Sequence, residues 1–307
     1  MKIWKMAAVA SLALLGGASC DPNLNAEEEL SEQGLALSRS KASYVTLRRD
    51  MRKCVSPLCG GYFVRDVNKH AQEQYVSGLD LSRATLDEAT QEKVLSAPES
   101  ELVLAGRLGP REAQWKTRTF VVVEAYRGMP GVSVSAGDVF YQATRRDPQI
   151  QCFVAPCPNE IGRKLNTPRT IEFSSYSVER ASRINVDQDW LTHRVYGHGA
   201  VVAGRMVKGQ IFPGGPEKVL DASQVFVRLP DPIGPCPMFP IHQCPEGFFN
   251  TFQRNMDRCL IPTGCGDESL CPMVKPAPCA QDYTLSFFRA NNPLCIEFVC
   301  DPTFLVE

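Results

Sequence analysis

"YVTLRRDMRKCVSPLC", residues 44–59, is written again further on as "YQATRRDPQIQCFVAPC", residues 141–157. Tyr44 matches Tyr141, Arg48-Arg49-Asp50 matches Arg145-Arg146-Asp147, and the Cys-x4-Cys pair Cys54 and Cys59 returns as Cys152 and Cys157. Downstream, Arg65 and Asn68 match Arg163 and Asn166, and the "AGR" of Ala105, Gly106 and Arg107 returns at Ala203, Gly204 and Arg205. Each match lies 97 or 98 residues from its twin. Separated matches at one period mark a duplicated unit, and a period of this length lets each copy hold a core of its own.

In the first copy, 44–50, 62–67 and 75–81 are β-branched and aromatic runs bounded by Gly, Asn or Asp, which predicts three strands. "TLDEATQEKVL", 85–95, pairs Thr85 with Glu88 as a capping box and spaces Leu86, Ala89 and Val94 as a helix does. Strands are expected again over 101–108 and 117–126. The second copy has a shorter helix around 184–195, then strands over 200–206 and 223–229 joined through the turn-rich "FPGGPEK". Three strands, a helix and two strands is the element order of an OB-type barrel. The expected fold is mainly β with α+β elements. It comprises two tandem, related five-stranded OB-like domains, each with one helix, over 44–130 and 138–230, and a small disulfide-rich β-hairpin module over 234–307.

That last module is also written twice. Ten prolines and eight cysteines fall within its 74 residues, a density that marks a disulfide scaffold rather than a core-driven domain. "CPMFPIHQC" from Cys236 matches "CPMVKPAPC" from Cys271, Phe248, Phe252 and Arg254 match Tyr283, Phe287 and Arg289, and Cys265 matches Cys300, all at an offset of 35. Each half reads as a hairpin about a turn near Asn255 or Asn291. Symmetry about those turns pairs Cys244 with Cys265 and Cys279 with Cys300, leaving Cys236–Cys259 and Cys271–Cys295. Four cysteines allow three connectivities in each half.

The compartment is read from the other end. Lys2 and Lys5, an apolar run over 7–15 and the small residues Gly16-Gly17-Ala18-Ser19 before Cys20 form an export signal. The run is shorter than the roughly 20 residues that span a bilayer. Residues 1–19 are therefore expected to be a signal peptide, Cys20 the acylated first residue of the mature chain, and 20–43 a lipid-anchored flexible tether. Parity agrees: with Cys20 set aside, 12 of the 13 cysteines remain, enough for six bridges, including Cys54–Cys59 and Cys152–Cys157. The net charge of −1 and the lack of a basic cluster exclude the electrostatic footprint of a nucleic-acid binder.

Catalytic chemistry finds no motif. The sequence has no G-x-S-x-G elbow, H-E-x-x-H, phosphate loop or dinucleotide fingerprint. His193 and His198 are spaced for one helical face, but Gly197 and Gly199 turn the second into a loop position, and no metal or cofactor is expected. Asp187 and Asp189 beside Trp190 read as a helix start with the indole packed inward. The candidate binding residues are the paired arginines Arg48, Arg49, Arg145 and Arg146, suited to an anionic partner, and Phe249 and Phe288, one ring from each Phe-Phe pair, as a contact patch.

With "RRDMRKCVSPLCGGYFVRDVN", the paired "CFVAPC", the late "VVAGR" and the Cys-rich "CPEGF" tail in view, the chain resembles a family of uncharacterised exported bacterial lipoproteins. The resemblance implies address and architecture, and no catalytic residues. The expected role is that of a non-enzymatic, lipid-anchored envelope protein on the periplasmic face or cell surface, binding the membrane through its lipid and an envelope protein or polysaccharide through its folded part. The alternative is a protease inhibitor offering "CVSPLC" and "CFVAPC" as preorganised loops; an envelope hydrolase comes third.

Overall fold

The computed structural model describes residues 42–147, 149, 152–183, 185–197, 199–231, 236–267, 269, 271, 275–291 and 295–305. The expected signal peptide, Cys20, the tether as far as residue 41 and His198 lie outside them. The first copy supplies β1 (Ser43–Arg49), β2 (Tyr62–Asp66), β3 (Gln74–Val76), β4 (Leu79–Asp80), α1 (Glu88–Leu95), β5 (Leu102–Leu108) and β6 (Phe120–Gly128). The second supplies β7 (Val139–Arg145), β8 (Glu160–Lys164), β9 (Thr170–Phe173), β10 (Ser175–Ser177), α2 (Gln188–Gly197), β11 (Val201–Phe212) and β12 (Gly215–Leu229). The chain is mainly β, as its alternating apolar runs require.

Strand pairing repeats between the copies. β1 lies antiparallel between β2 and β5, β2 carries β3, and β5 carries β6. The short β4 runs parallel to β6 through Leu79 beside Phe120 and Asp80 beside Val121. In the second copy β7, β8, β9, β11 and β12 pair in the same pattern, with β10 parallel to β12. The repeated "AGR" marks the bulges of this pattern. Register shifts at Ala105/Gly106 and Ala203/Gly204, and a Cβ on either glycine would lie 2.2 Å from Val121 O or 2.5 Å from Asp221 O. Only glycine admits the partner strand's carbonyl so closely.

Two expectations are corrected. The copies do not form separate sheets, because β6 and β12 pair antiparallel and make one twelve-stranded sheet. The ladder sets Phe226 opposite Gly128, its own twin 98 residues away, and Met129 N–H donates to Val225 O at 3.1 Å beyond it. Each copy thus offers the other the same strand end, as in an isologous dimer. The alignment of Tyr44 with Tyr141 is also one residue out of register. Val45 faces Asp66 as Tyr141 faces Lys164, so Val45 is the structural twin of Tyr141, and Arg49 that of Arg145. Both Val45 and Tyr141 are buried in the main core. A slip of one residue in a strand exchanges its faces, which is why motif matching and packing disagree here.

The join is sealed by a second apolar layer. Tyr44, Val67, Val103, Ala105 and Tyr126 of the first copy meet Leu165, Val201, Ala203 and Phe226 of the second. Val67, Val103 and Ala105 are the counterparts of Leu165, Val201 and Ala203. The first residues of β5 and β11 are therefore buried on both faces, with Leu102, Leu104 and Val202 pointing into the main core. Two asparagines lock the layer reciprocally. Asn68 Nδ2 donates to Phe140 O at 2.7 Å and Leu165 O at 3.1 Å and its Oδ1 accepts from Phe140 N. Asn166 Nδ2 donates to Tyr44 O at 2.7 Å and Val67 O at 3.0 Å and its Oδ1 accepts from Tyr44 N. Both hold positive φ, 60° and 58°, a conformation asparagine tolerates well.

The helices form close to where they were expected, with shifted starts. Asp87, rather than Thr85, caps α1 by accepting from Thr90 N at 2.7 Å. Asp187 caps α2 by accepting from Trp190 N at 2.9 Å, and the indole is fully buried.

The tail folds as two hairpins, β13 (Phe248–Arg254) with β14 (Leu260–Asp267) and β15 (Tyr283–Arg289) with β16 (Ile296–Pro302). Isolated hairpins are marginal in water. Here four cystines close them, Cys236–Cys259, Cys244–Cys265, Cys271–Cys295 and Cys279–Cys300. The hairpins are docked, not appended: Tyr283, Cys300, Phe304 and Leu305 join the main core. An ionic cluster, buried except at Asp257, completes the dock. Arg194 of α2, with no exposed side-chain surface, bonds Asp231 Oδ1 and Asp257 Oδ1, the latter at 3.2 Å. Arg254 reaches Asp301 at 2.7 Å and Asp187 at 3.5 Å, and Ser286 Oγ donates to Asp301 at 2.6 Å. Desolvation raises the pKa of Asp187 and lowers that of Arg258 at this junction. Charges buried together like this are costly to separate, so the cluster orients the tail.

Candidate functional site

β1 and β7 end by delivering their arginines to the two cystine loops, Cys54–Cys59 and Cys152–Cys157. The outcome differs between copies. In the first, Arg48 bonds Glu73 at 2.6 Å and lies over Phe63, 4.3 Å from the ring centre. Arg49 bonds Glu99 at 2.7 Å and lies over Tyr62. Arg52 chelates the buried Asp50 and covers both Phe63 and Tyr75. The hydrogen bond from Arg52 holds Asp50 below the usual carboxylate range, and Arg48 does the same to Glu73. Arg48 therefore finds its partner in Glu73, and Asp50 finds its own in Arg52. Beside it opens a cleft of about 740 Å³ lined by Arg48, Phe63, Arg65, Lys69, Ser135 and Phe226 among others.

In the second copy Arg145 lies over Tyr196 at 5.1 Å, and Tyr196 meets Tyr176 edge-on at 4.6 Å. Tyr176 Oη donates to Thr192 O at 3.0 Å. Behind them Glu160 is buried, and desolvation pushes its carboxyl pKa up against the opposing pull of Tyr196 and Arg145. Burial likewise raises the Tyr196 phenol. Of these, Arg145 and Tyr196 border a pocket of about 440 Å³ with Asp189, Thr192, His193 and Met256. An aromatic floor with a guanidinium, a carboxylate and hydroxyls around it suits a polar ligand of modest size. Arg146 turns away toward Pro158 O and Glu172. Tyr176, Tyr196 and Glu160 escape sequence reasoning because they come from three separate elements.

The loops themselves are convex. Val55 is 71 % exposed, and Phe153 and Val154 are 88 % and 62 % exposed. Tyr75 Oη donates to Pro57 O at 2.8 Å to hold the first loop, and Gly214 N–H donates to Ala155 O at 3.1 Å to hold the second. The expected aromatic patch is corrected. Phe249 and Phe288 are the buried rings, while Phe248 and Phe287 face outward; Arg289 of one hairpin covers Phe249 of the other at 4.5 Å. Among the described residues no group of three His, Cys, Asp or Glu side chains could hold a metal ion, and no helix is long and apolar enough to cross a membrane. Six cystines suggest an extracellular or exported protein.

Comparison with known proteins adds kinship without an activity. An uncharacterized protein of Dictyostelium discoideum is 27% identical over 264 residues, which cover 82% of this chain and 84% of that one. No solved structure matches the chain. A family model described as a domain of unknown function, DUF6748, matches residues 43–232, which are the two copies without the hairpins, and the chain belongs to that family.

Proposed function

We propose that this is a lipoprotein of the bacterial cell envelope, anchored through an acylated Cys20 after removal of residues 1–19, with a non-enzymatic binding or structural role. The observation that carries the binding role is the pair of cystine loops, which hold Val55, Phe153 and Val154 out in solvent at the ends of a sheet locked on both faces. Large apolar side chains held in the open by covalent closure mark an interaction surface. The circuit of strand pairings in each copy supports an OB-type topology, in which the loop between the first two strands commonly contacts the ligand. The partner is an envelope protein or polysaccharide.

Crosslinking in the native envelope from cysteine-free photoreactive probes at residues 55 and 153, with mass spectrometry of the mature N-terminus, tests this reading. Adducts from the loops and an acylated Cys20 are expected. An unmodified Cys20 thiol and loops that yield no adduct would sink it. A second reading, protease inhibition, is favoured by the same convex loops, since a disulfide-held segment enters a cleft at low entropic cost. It requires that a protease panel be inhibited and that Val55→Asp or Phe153→Asp abolish the effect.

A further inference from the structure

We propose that the second copy carries a tip that docks on an anionic lipid surface, built from the Cys152–Cys157 loop and the turn between β11 and β12. Two parts of the chain are joined there into one platform. Gly214 donates to Ala155 O at 3.1 Å, and a Cβ on Gly214 would lie 2.5 Å from that oxygen, so the close fit needs glycine. The platform presents Phe153, Val154 and, from β11, Ile211, which is 82 % exposed.

Charge completes the tip. Lys208 stands directly opposite Lys218 and, beyond a register shift in the ladder, Ile211 stands opposite Pro216. Positions that face one another share a sheet face, and Pro216 lies two residues from Lys218 on β12, so Lys208, Lys218 and Ile211 stand on one side of the hairpin. Like charges set opposite each other repel, and neither lysine has an ion pair among the described residues. Of the neighbouring acids, Asp221 pairs with Arg180 and Arg205, and Glu217, on the other face of β12 from Lys218, accepts from Ser175 Oγ at 2.7 Å. The result is an exposed apolar point beside two lysines that carry no ion pair among the described residues. A bilayer interface demands no complementary shape, takes up apolar side chains at the headgroup boundary, and neutralises lysines with lipid phosphate. The first copy has no such hairpin, since residues 109–119 run as an irregular connection between its last two strands. The tip does not depend on acylation of Cys20.

The test is co-sedimentation of the full chain carrying Cys20→Ser, so that no acyl chain contributes. The vesicles are phosphatidylcholine alone or phosphatidylcholine with phosphatidylglycerol. Binding should favour the anionic vesicles and weaken as salt rises. Lys208→Gln with Lys218→Gln should weaken it roughly 30-fold, at about 1 kcal/mol per lysine. Phe153→Ser with Ile211→Ser should reduce it further at unchanged circular dichroism and with all six cystines intact. Equal sedimentation with both vesicle types, none with either, or binding unaltered by the lysine pair would each overturn the proposal.

Discussion

The two copies share their strands and differ in what their helices do. α1 buries only Val94 and lies largely in solvent. α2 buries Trp190, Leu191, Arg194 and Val195, because it packs on β7 and β12 over the main core, and Arg194 meets Asp231 and, from the turn of the first hairpin, Asp257. The same contrast runs through the first strands. Arg49 has Tyr62 opposite, whereas its twin Arg145 has Glu160 there and takes its ring from Tyr196 on α2. Duplication preserved the ladder, since a sheet shared by both copies constrains every register in it. Divergence gathered where one copy acquired a neighbour that the other lacks.

That asymmetry predicts unequal responses to similar changes. Arg194→Met strands the buried Asp231 carboxylate and should cost about 3–5 kcal/mol in urea unfolding. A change on the solvent face of α1, Glu92→Met, should stay within about 0.5 kcal/mol. Comparable losses would mean that the tail does not depend on α2. Opening Cys244–Cys265 by double alanine substitution releases a longer loop than opening Cys54–Cys59, so chain entropy puts the losses near 3 and 2 kcal/mol. Thermal midpoints in the reverse order would show that the small cystine carries native contacts beyond closure.

The reciprocal asparagines should respond alike. Asn68→Ala and Asn166→Ala each remove three hydrogen bonds across the join and place alanine at positive φ. About 2 kcal/mol is expected from each, and a wide inequality would break the equivalence of the copies. The smallest effect is one of pH. Folding holds the Glu160 proton more tightly than the unfolded chain does, so stability is fully present at acid pH and declines as pH rises above the ordinary glutamate range of 4.5. Glu160→Gln should flatten that part of the pH–stability curve.

Much of this was legible in the chain. The period, the tail's offset and the "AGR" bulges all report backbone requirements that recur wherever the same ladder recurs. The runs Leu102–Val103–Leu104–Ala105 and Val201–Val202–Ala203 also carried a readable sign of the join. Strands with one wet face alternate, and these do not. The arginine sites were less legible. Arg48 appears beside Asp50 in the sequence yet pairs with Glu73, and the rings chosen from each Phe-Phe pair were the buried ones, because one position along a strand decides which face a side chain takes.

The amino-acid sequence alone determined that the chain is mainly β, that its unit is doubled and that its hairpins are doubled again, since periodicity and cysteine spacing are local or internally compared properties. Only the tertiary structure decided that the doubled units share one sheet, that Asn68 and Asn166 clasp it from both sides and that the hairpins seat on α2. Those outcomes depend on which surfaces meet, and apolar burial, being non-directional, leaves that choice to shape and register across distant parts of the chain.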